Sequence, residues 1–204
     1  MESLQKLADI KKMILLDTAF YSRDTQVVAE DLIGKLLVKK TGNLVLAGII
    51  VETEAYYGEN DPASHAFRGK TSRAEIMFGR AGIAYVYFCY GMYCLLNTVT
   101  EPEGFPGAVL IRSVKPVAGI EYMCKNRKTD DLSNLTSGPG KLTIALGIEM
   151  KDNGTDLTDP ESCLNIYTYR ERKGKMNQLK ISRSSRVGVS AGKEKLLRFF
   201  LENP

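Results

Sequence analysis

The chain has 204 residues with a net charge of +4, and its length suits a single domain, residues 1–204, that buries a core and folds without disulfides. No stretch approaches eighteen uninterrupted apolar residues, and the N-terminus Met1-Glu-Ser-Leu-Gln-Lys-Leu-Ala-Asp9 carries acids, so neither a membrane span nor a signal peptide is expected. Four cysteines (Cys89, Cys94, Cys124, Cys163) without metal-ligand spacing and one histidine predict no metal site, no cofactor, reduced thiols and a cytoplasmic location.

Asp24-Thr25 predicts an N-cap for a helix over Gln26–Ile33, with Gly34 ending it. Strands are predicted over Leu36–Lys39 and Leu44–Ala55, around the turn Thr41-Gly42-Asn43. Residues 58–82 form a long polar connection anchored by Met77-Phe78, and a connection of that length points to function. A second hairpin is predicted from Ile83–Cys89 and Tyr93–Val99, around Tyr90-Gly91-Met92. A strand over Ala108–Ser113 follows, then a helix from Pro116 to about Arg127. Ser137-Gly-Pro-Gly-Lys141 leads into a short helix, Leu142–Leu146, and the acidic run 149–161 is expected to be a surface loop. Further strands are predicted near Leu164–Tyr169, Arg186–Val189 and Leu196–Leu201. Strands outnumber helices and join mainly through turns, which predicts one α+β domain with a curved, mainly antiparallel sheet and peripheral helices.

The chemistry concentrates in two strands. Alternation along Val51-Glu-Thr-Glu-Ala-Tyr56 puts Glu52, Glu54 and Tyr56 on one face, with the carboxylates about 6.5–7 Å apart along the strand. Burial and mutual repulsion both penalise such a pair, so at least one is expected to do chemistry. In the next hairpin Tyr85 and Tyr87 share a face, opposite Ala84, Val86 and Phe88, and Tyr90 projects at the tip. Arg112 ends an apolar strand, where a guanidinium needs an anionic partner; Glu54 is the natural candidate. Lys141, after two glycines at a helix start, is a candidate phosphate contact. From Arg170 to Arg198, ten Lys/Arg stand against two glutamates, so this stretch carries +8 and the remainder −4; it is either the footprint of a polyanion or a solvated loop.

These segments together resemble the mammalian-type 3-methyladenine (alkyladenine) DNA glycosylases, a family also present in bacteria. The matching text is Val51-Glu-Thr-Glu-Ala-Tyr56, Ser64-His65, Met77-Phe78, Ala84-Tyr-Val-Tyr87, Tyr90-Gly-Met-Tyr93, Asn97, Val109-Leu-Ile-Arg112, Ser137-Gly-Pro139 with Lys141, and Arg186-Val-Gly-Val189. The resemblance implies an open-barrel-like sheet and a monofunctional enzyme that flips alkylated or deaminated purines from duplex DNA. It implies that Glu54 is the general base for a water held also by Arg112 and the backbone of Val187. Tyr56, His65 and Tyr87 would line the base pocket, Asn97 would disfavour purines with a 2-amino group, and Tyr90 would fill the vacated place in the duplex. Glu52 inherits no role. Thr71-Ser-Arg-Ala74 departs from the Thr-Pro-Arg-Asn run expected there, which leaves the local loop geometry open. The partner implied is double-stranded DNA containing damaged purines, with a monomeric protein acting at the nucleoid. Rival readings are a damaged-DNA-binding module without catalysis, a sugar glycosidase using Glu52 and Glu54 as a pair, and an RNA-modifying or RNA-binding domain.

Overall fold

A computed structural model describes residues 13–89, 91–169 and 180–202. Along the chain run β1 (Ile14–Leu15), α1 (Thr18–Tyr21), α2 (Thr25–Asp31), β2 (Leu36–Thr41) and β3 (Leu44–Tyr56). Two 3₁₀ turns (His65–Arg68 and Glu75–Phe78) precede β4 (Ala84–Cys89), β5 (Tyr93–Val99) and β6 (Ala108–Ala118). After α3 (Ile120–Arg127) and α4 (Pro139–Leu146) come β7 (Leu164–Thr168), β8 (Ile181–Ser184) and β9 (Arg198–Leu201). The strands form one antiparallel sheet in the order β1-β7-β2-β3-β6-β5-β4, with β9 pairing beside Glu52–Glu54 of β3 and β8 pairing with β9. The sheet is a curled half-barrel with its helices at the periphery, the α+β architecture that the hairpins predict.

The two faces of the sheet have different work. One packs against the helices: Val28 and Ala29 of α2, Met123 of α3, and Leu142, Ala145 and Leu146 of α4 meet Leu46, Ile50, Ala55, Val86 and Ile111. The other face carries the connection between β3 and β4, whose Ala66, Ala74 and Met77 pack on Tyr85, Val99 and Ala108. Fully burying a side chain such as Met77 contributes about 1.5–3 kcal/mol, which ties this segment to the sheet.

Two irregularities in the β3–β6 ladder decide which side chains reach which face. Ile50 opposes Val114 and Glu52 opposes Ser113, so Val51 is unopposed; Thr53 opposes Ile111, so Arg112 is unopposed in turn. An extra residue on β3 switches the strand's facing parity. Upstream, Leu46 and Ile50 face the helices; downstream, Thr53 and Ala55 do, with the Thr53 hydroxyl donating to the Ala29 carbonyl at 2.7 Å. Glu52, Glu54 and Tyr56 are thereby turned to the other face.

Several elements differ from expectation. The strand over Ala108–Ser113 continues to Ala118 instead of yielding to a helix at Pro116. Pro116 lies opposite Gly48, next to a register shift between Ala47 and Gly48, and such an irregularity tolerates a residue that cannot donate to the ladder. The helix starts after Gly119, whose φ of 73° and close approach to Leu46 exclude a side chain there. The α4 helix starts at Pro139, so Lys141 lies within its first turn. Arg186–Val189 is a turn around Gly188 (φ 76°) and not a strand; β8 precedes it. The acidic run is not wholly a surface loop: Asp152 is buried and ion-paired with the buried Lys39.

Candidate active site

The bulged segment of β3 builds an acid–base cluster. Glu54 is fully buried, and three donors converge on its carboxylate. The Val187 N–H reaches Oε1 at 2.7 Å, while the Tyr56 hydroxyl and Arg112 Nη1 reach Oε2 at 2.8 and 3.3 Å. Arg112 is the unopposed residue of β6, and this places its guanidinium between two acids: Nε donates to Glu52 Oε1 at 2.8 Å. Arg198 of β9 donates to the same oxygen at 2.6 Å. Glu52 thus anchors two guanidinium groups and orients the one that touches Glu54. Burial pushes the Glu54 pKa up from its ordinary value; Arg112, the Val187 N–H and Tyr56 oppose that, and the Glu52 charge adds to it. The carboxyl is poised to accept a proton more readily than an exposed glutamate.

A second buried pair fixes the turn that supplies the Val187 N–H. Arg186 bonds both oxygens of Asp61 at 2.6 Å and donates to the Ala55 carbonyl at 2.9 Å, with both side chains fully buried. Its guanidinium lies 4.7 Å from the Tyr56 ring centroid. Burial acts to raise the Asp61 pKa, but the bonds from Arg186 prevail and hold it lowered. One ion pair therefore joins the 58–64 loop, the end of β3 and the 186–189 turn.

Beside this cluster opens a cavity of about 390 Å³, lined by Tyr56, His65, Tyr85, Tyr87, Asn97, Arg112 and Val187 among others. Its volume falls within the range of small-molecule pockets. His65 and Tyr87 meet edge to face with centroids 4.6 Å apart, and Tyr85 and Tyr87 lie 5.2 Å apart. His65 Nδ1 and the Tyr85 hydroxyl are 2.8 Å apart. Burial, assisted by the charge of Arg73, pushes the His65 pKa down to about 4, so the ring is neutral near pH 7. Asn97 is buried, and its Nδ2 donates to the Tyr85 carbonyl at 3.1 Å.

The structure brings together Glu54, Arg112, Val187, Tyr56, His65, Tyr87 and Asn97. It does not bring Lys141 with them: this lysine is absent from the cavity lining and bonds Asn134 Oδ1. Tyr90 lies outside the described residues. Its neighbours make an apolar tip, with Phe88 52%, Met92 65% and Tyr93 37% exposed. The basic C-terminal stretch is less free than its charge suggests. Residues 170–179 lie outside the described part, and Lys180, Arg183, Arg186 and Arg198 pair with Glu202, Glu30, Asp61 and Glu52. Sequence reasoning missed the Asp61–Arg186 pair and the Arg73 contact with Tyr87 at 5.0 Å. The pair spans 125 positions, and no local pattern announces it.

The fold and site define an enzyme-like pocket lined by the three donors of a buried carboxylate, and comparison with known proteins gives the family. The profile described as Methylpurine-DNA glycosylase (MPG) matches residues 19–204. Relatives named "Putative 3-methyladenine DNA glycosylase" include one from Prosthecochloris aestuarii (strain DSM 271 / SK 413), 48% identical over 91% of this chain and 87% of its own. One from Carboxydothermus hydrogenoformans (strain ATCC BAA-161 / DSM 6008 / Z-2901) is 45% identical over 93% and 96%. Another from Methanoculleus marisnigri (strain ATCC 35101 / DSM 1498 / JR1) is 46% identical over 92% and 95%. The chain belongs to the methylpurine-DNA glycosylase family. It is accordingly a DNA-repair hydrolase of N-glycosyl bonds.

Proposed function

We propose that this chain, as one catalytic domain, extrudes an alkylated or deaminated purine from duplex DNA and hydrolyses its N-glycosidic bond with water activated by Glu54. The observation that carries the reading is the buried Glu54 carboxylate together with its three donors, Arg112, Tyr56 and the Val187 N–H, residues that line an aromatic cavity. The Val187 N–H is engaged by Glu54, so the carbonyl of that residue and the Arg112 guanidinium are the groups left to hold the water.

In this mechanism the C1′–N bond breaks as water oxygen bonds to C1′. The proton lost from water passes to Glu54, and the electron pair of the broken bond leaves with the base. Positive charge grows on the sugar, and an ionised Glu54 in a desolvated site stabilises it. A purine alkylated at N3 or N7 already carries positive charge and leaves as a neutral base. Hypoxanthine needs a proton from an acid that the cavity residues do not identify.

Extrusion costs a few kcal/mol, and stacking returns about 1–3 kcal/mol per base. Tyr56, Tyr87 and His65 supply that stacking surface, and Asn97, in the same cavity lining, disfavours purines with a 2-amino group. Tyr90 takes the vacated place in the duplex, at a tip whose described neighbours are exposed and apolar. The cavity lining contains no lysine among the described residues, and Lys115 on β6 is exposed and outside it, which favours water over an amine as nucleophile. The enzyme works on duplex DNA as a monomer, in the cytoplasm at the nucleoid.

The test is to incubate the protein with duplexes that each carry one defined lesion and to measure base release and abasic sites. Release by the native protein that Glu54→Gln abolishes, with binding retained, supports the mechanism. Lesion binding without any abasic product selects the damaged-DNA-binding module instead.

A further inference from the structure

Among the described residues three guanidinium groups contact Glu54 or the rings that line the cavity, and two of them are neutralised there. Arg186, over the Tyr56 ring, is paired to Asp61. Arg112 lies between Glu52 and Glu54. The third, Arg73, lines the cavity with its guanidinium 5.0 Å from the Tyr87 centroid. Among the described residues it forms no ion pair. The acid of its own loop, Glu75, is engaged by Lys70 at 3.4 Å.

The backbone beneath Arg73 is fixed. The Ala74 and Glu75 N–H groups both donate to the Thr71 carbonyl, at 3.0 and 2.8 Å, and Ala74 and Met77 are buried. Arg73 itself is exposed. An exposed cation thus leaves a rigid turn and lies against the aromatic wall of the cavity. Contact with a ring face consumes no N–H, and the Tyr85 hydroxyl engages only part of the fork, so donors remain for an anion. An arginine in this state suits bidentate recognition of a phosphate. Its positive field is felt inside the cavity, where it adds to burial in keeping His65 neutral.

We infer that Arg73 is a phosphate-binding residue of this site: its guanidinium takes a phosphodiester flanking the extruded nucleotide, and its contact with Tyr87 couples that phosphate to the base pocket. The inference rests on the reading of the cavity as the pocket for an extruded purine. It also moves the phosphate anchor from Lys141, which bonds Asn134, to the 71–74 turn. The departure at Ser72 and Ala74 leaves this arginine in place, because Ala74 packs its methyl into the core beneath the turn.

The experiment measures binding of a duplex with a single ethenoadenine as a function of salt, in a Glu54→Gln background that leaves the lesion intact. Each phosphate contact contributes about 0.9 to the slope of log K against log salt. Arg73→Gln should reduce the slope by about 0.9, and Arg73→Lys should retain it. Neutral methylphosphonates are then placed singly at the phosphates flanking the lesion. One position should weaken binding when Arg73 is present and have no effect in Arg73→Gln. An unchanged slope in Arg73→Gln, or methylphosphonate losses equal in both proteins, overturns the inference. Failure of the native protein to release any base brings down the underlying reading as well; release of base with an unchanged slope brings down this inference alone.

Discussion

Asp61→Ala is the substitution through which the buried Asp61–Arg186 pair can be weighed. It leaves a fully buried guanidinium with the Ala55 carbonyl as its remaining acceptor, and among the described residues Arg186 Nε has no partner even in the native protein. Removing one member of a buried pair costs about 3–5 kcal/mol, a large share of the roughly 5–15 kcal/mol that stabilises a domain. Urea denaturation at pH 7 should show the midpoint falling at constant m-value. The loss should be largest near neutrality. The folded Asp61 pKa is depressed below 3.8, so its stabilising effect is complete above that value and disappears as pH falls through the folded pKa. The double variant Asp61→Leu/Arg186→Met removes both charges and should recover most of the stability. It should not recover activity, because the 186–189 turn would no longer aim the Val187 N–H at Glu54. A loss below about 1 kcal/mol for Asp61→Ala, in the range of exposed pairs, would refute the reasoning.

The pH profile tests the environment of Glu54. Burial raises its pKa, and the base must be ionised, so the acid limb of kcat/KM should lie above the ordinary glutamate value of 4.5. Tyr56→Phe removes a donor that lowers this pKa and should move the limb further up; a limb at or below 4.5, or one moved downward, would contradict the assignment. Tyr90→Ser should weaken binding to lesion duplex much more than binding to the free damaged base, since only the duplex has a gap to fill. Equal losses in fluorescence titrations with the two ligands would remove Tyr90 from the extrusion step.

What could be read from the sequence was what depends on short range. Period-two alternation placed Glu52, Glu54 and Tyr56 on one face and Tyr85 with Tyr87 on another, and the Asp24 cap and both hairpin turns lie where their residues imply. What escaped depends on pairing between distant strands. The unopposed Val51 and Arg112 exist only in the β3–β6 register, and they place Arg112 between the two acids. Pro116 reads as a helix start until Gly48 is seen opposite it. The glycine-containing Arg186-Val-Gly-Val189 has strand-like valines, yet the burial of Arg186 against Asp61 and the positive φ of Gly188 make it a turn. The basic C-terminal stretch suggested a polyanion footprint because charge counting cannot reveal that Glu30, Glu52, Asp61 and Glu202 meet four of its six described cations.

Single-turnover release of a damaged purine from duplex DNA, native protein against Glu54→Gln, is the most direct measurement of the central claim. General-base catalysis is worth at least about a hundredfold, or roughly 2.7 kcal/mol at 1.36 kcal/mol per decade. The account predicts a loss of at least that size in the rate of release, with the affinity for lesion duplex preserved. A Glu54→Gln protein that releases the base at near-native rate would contradict it.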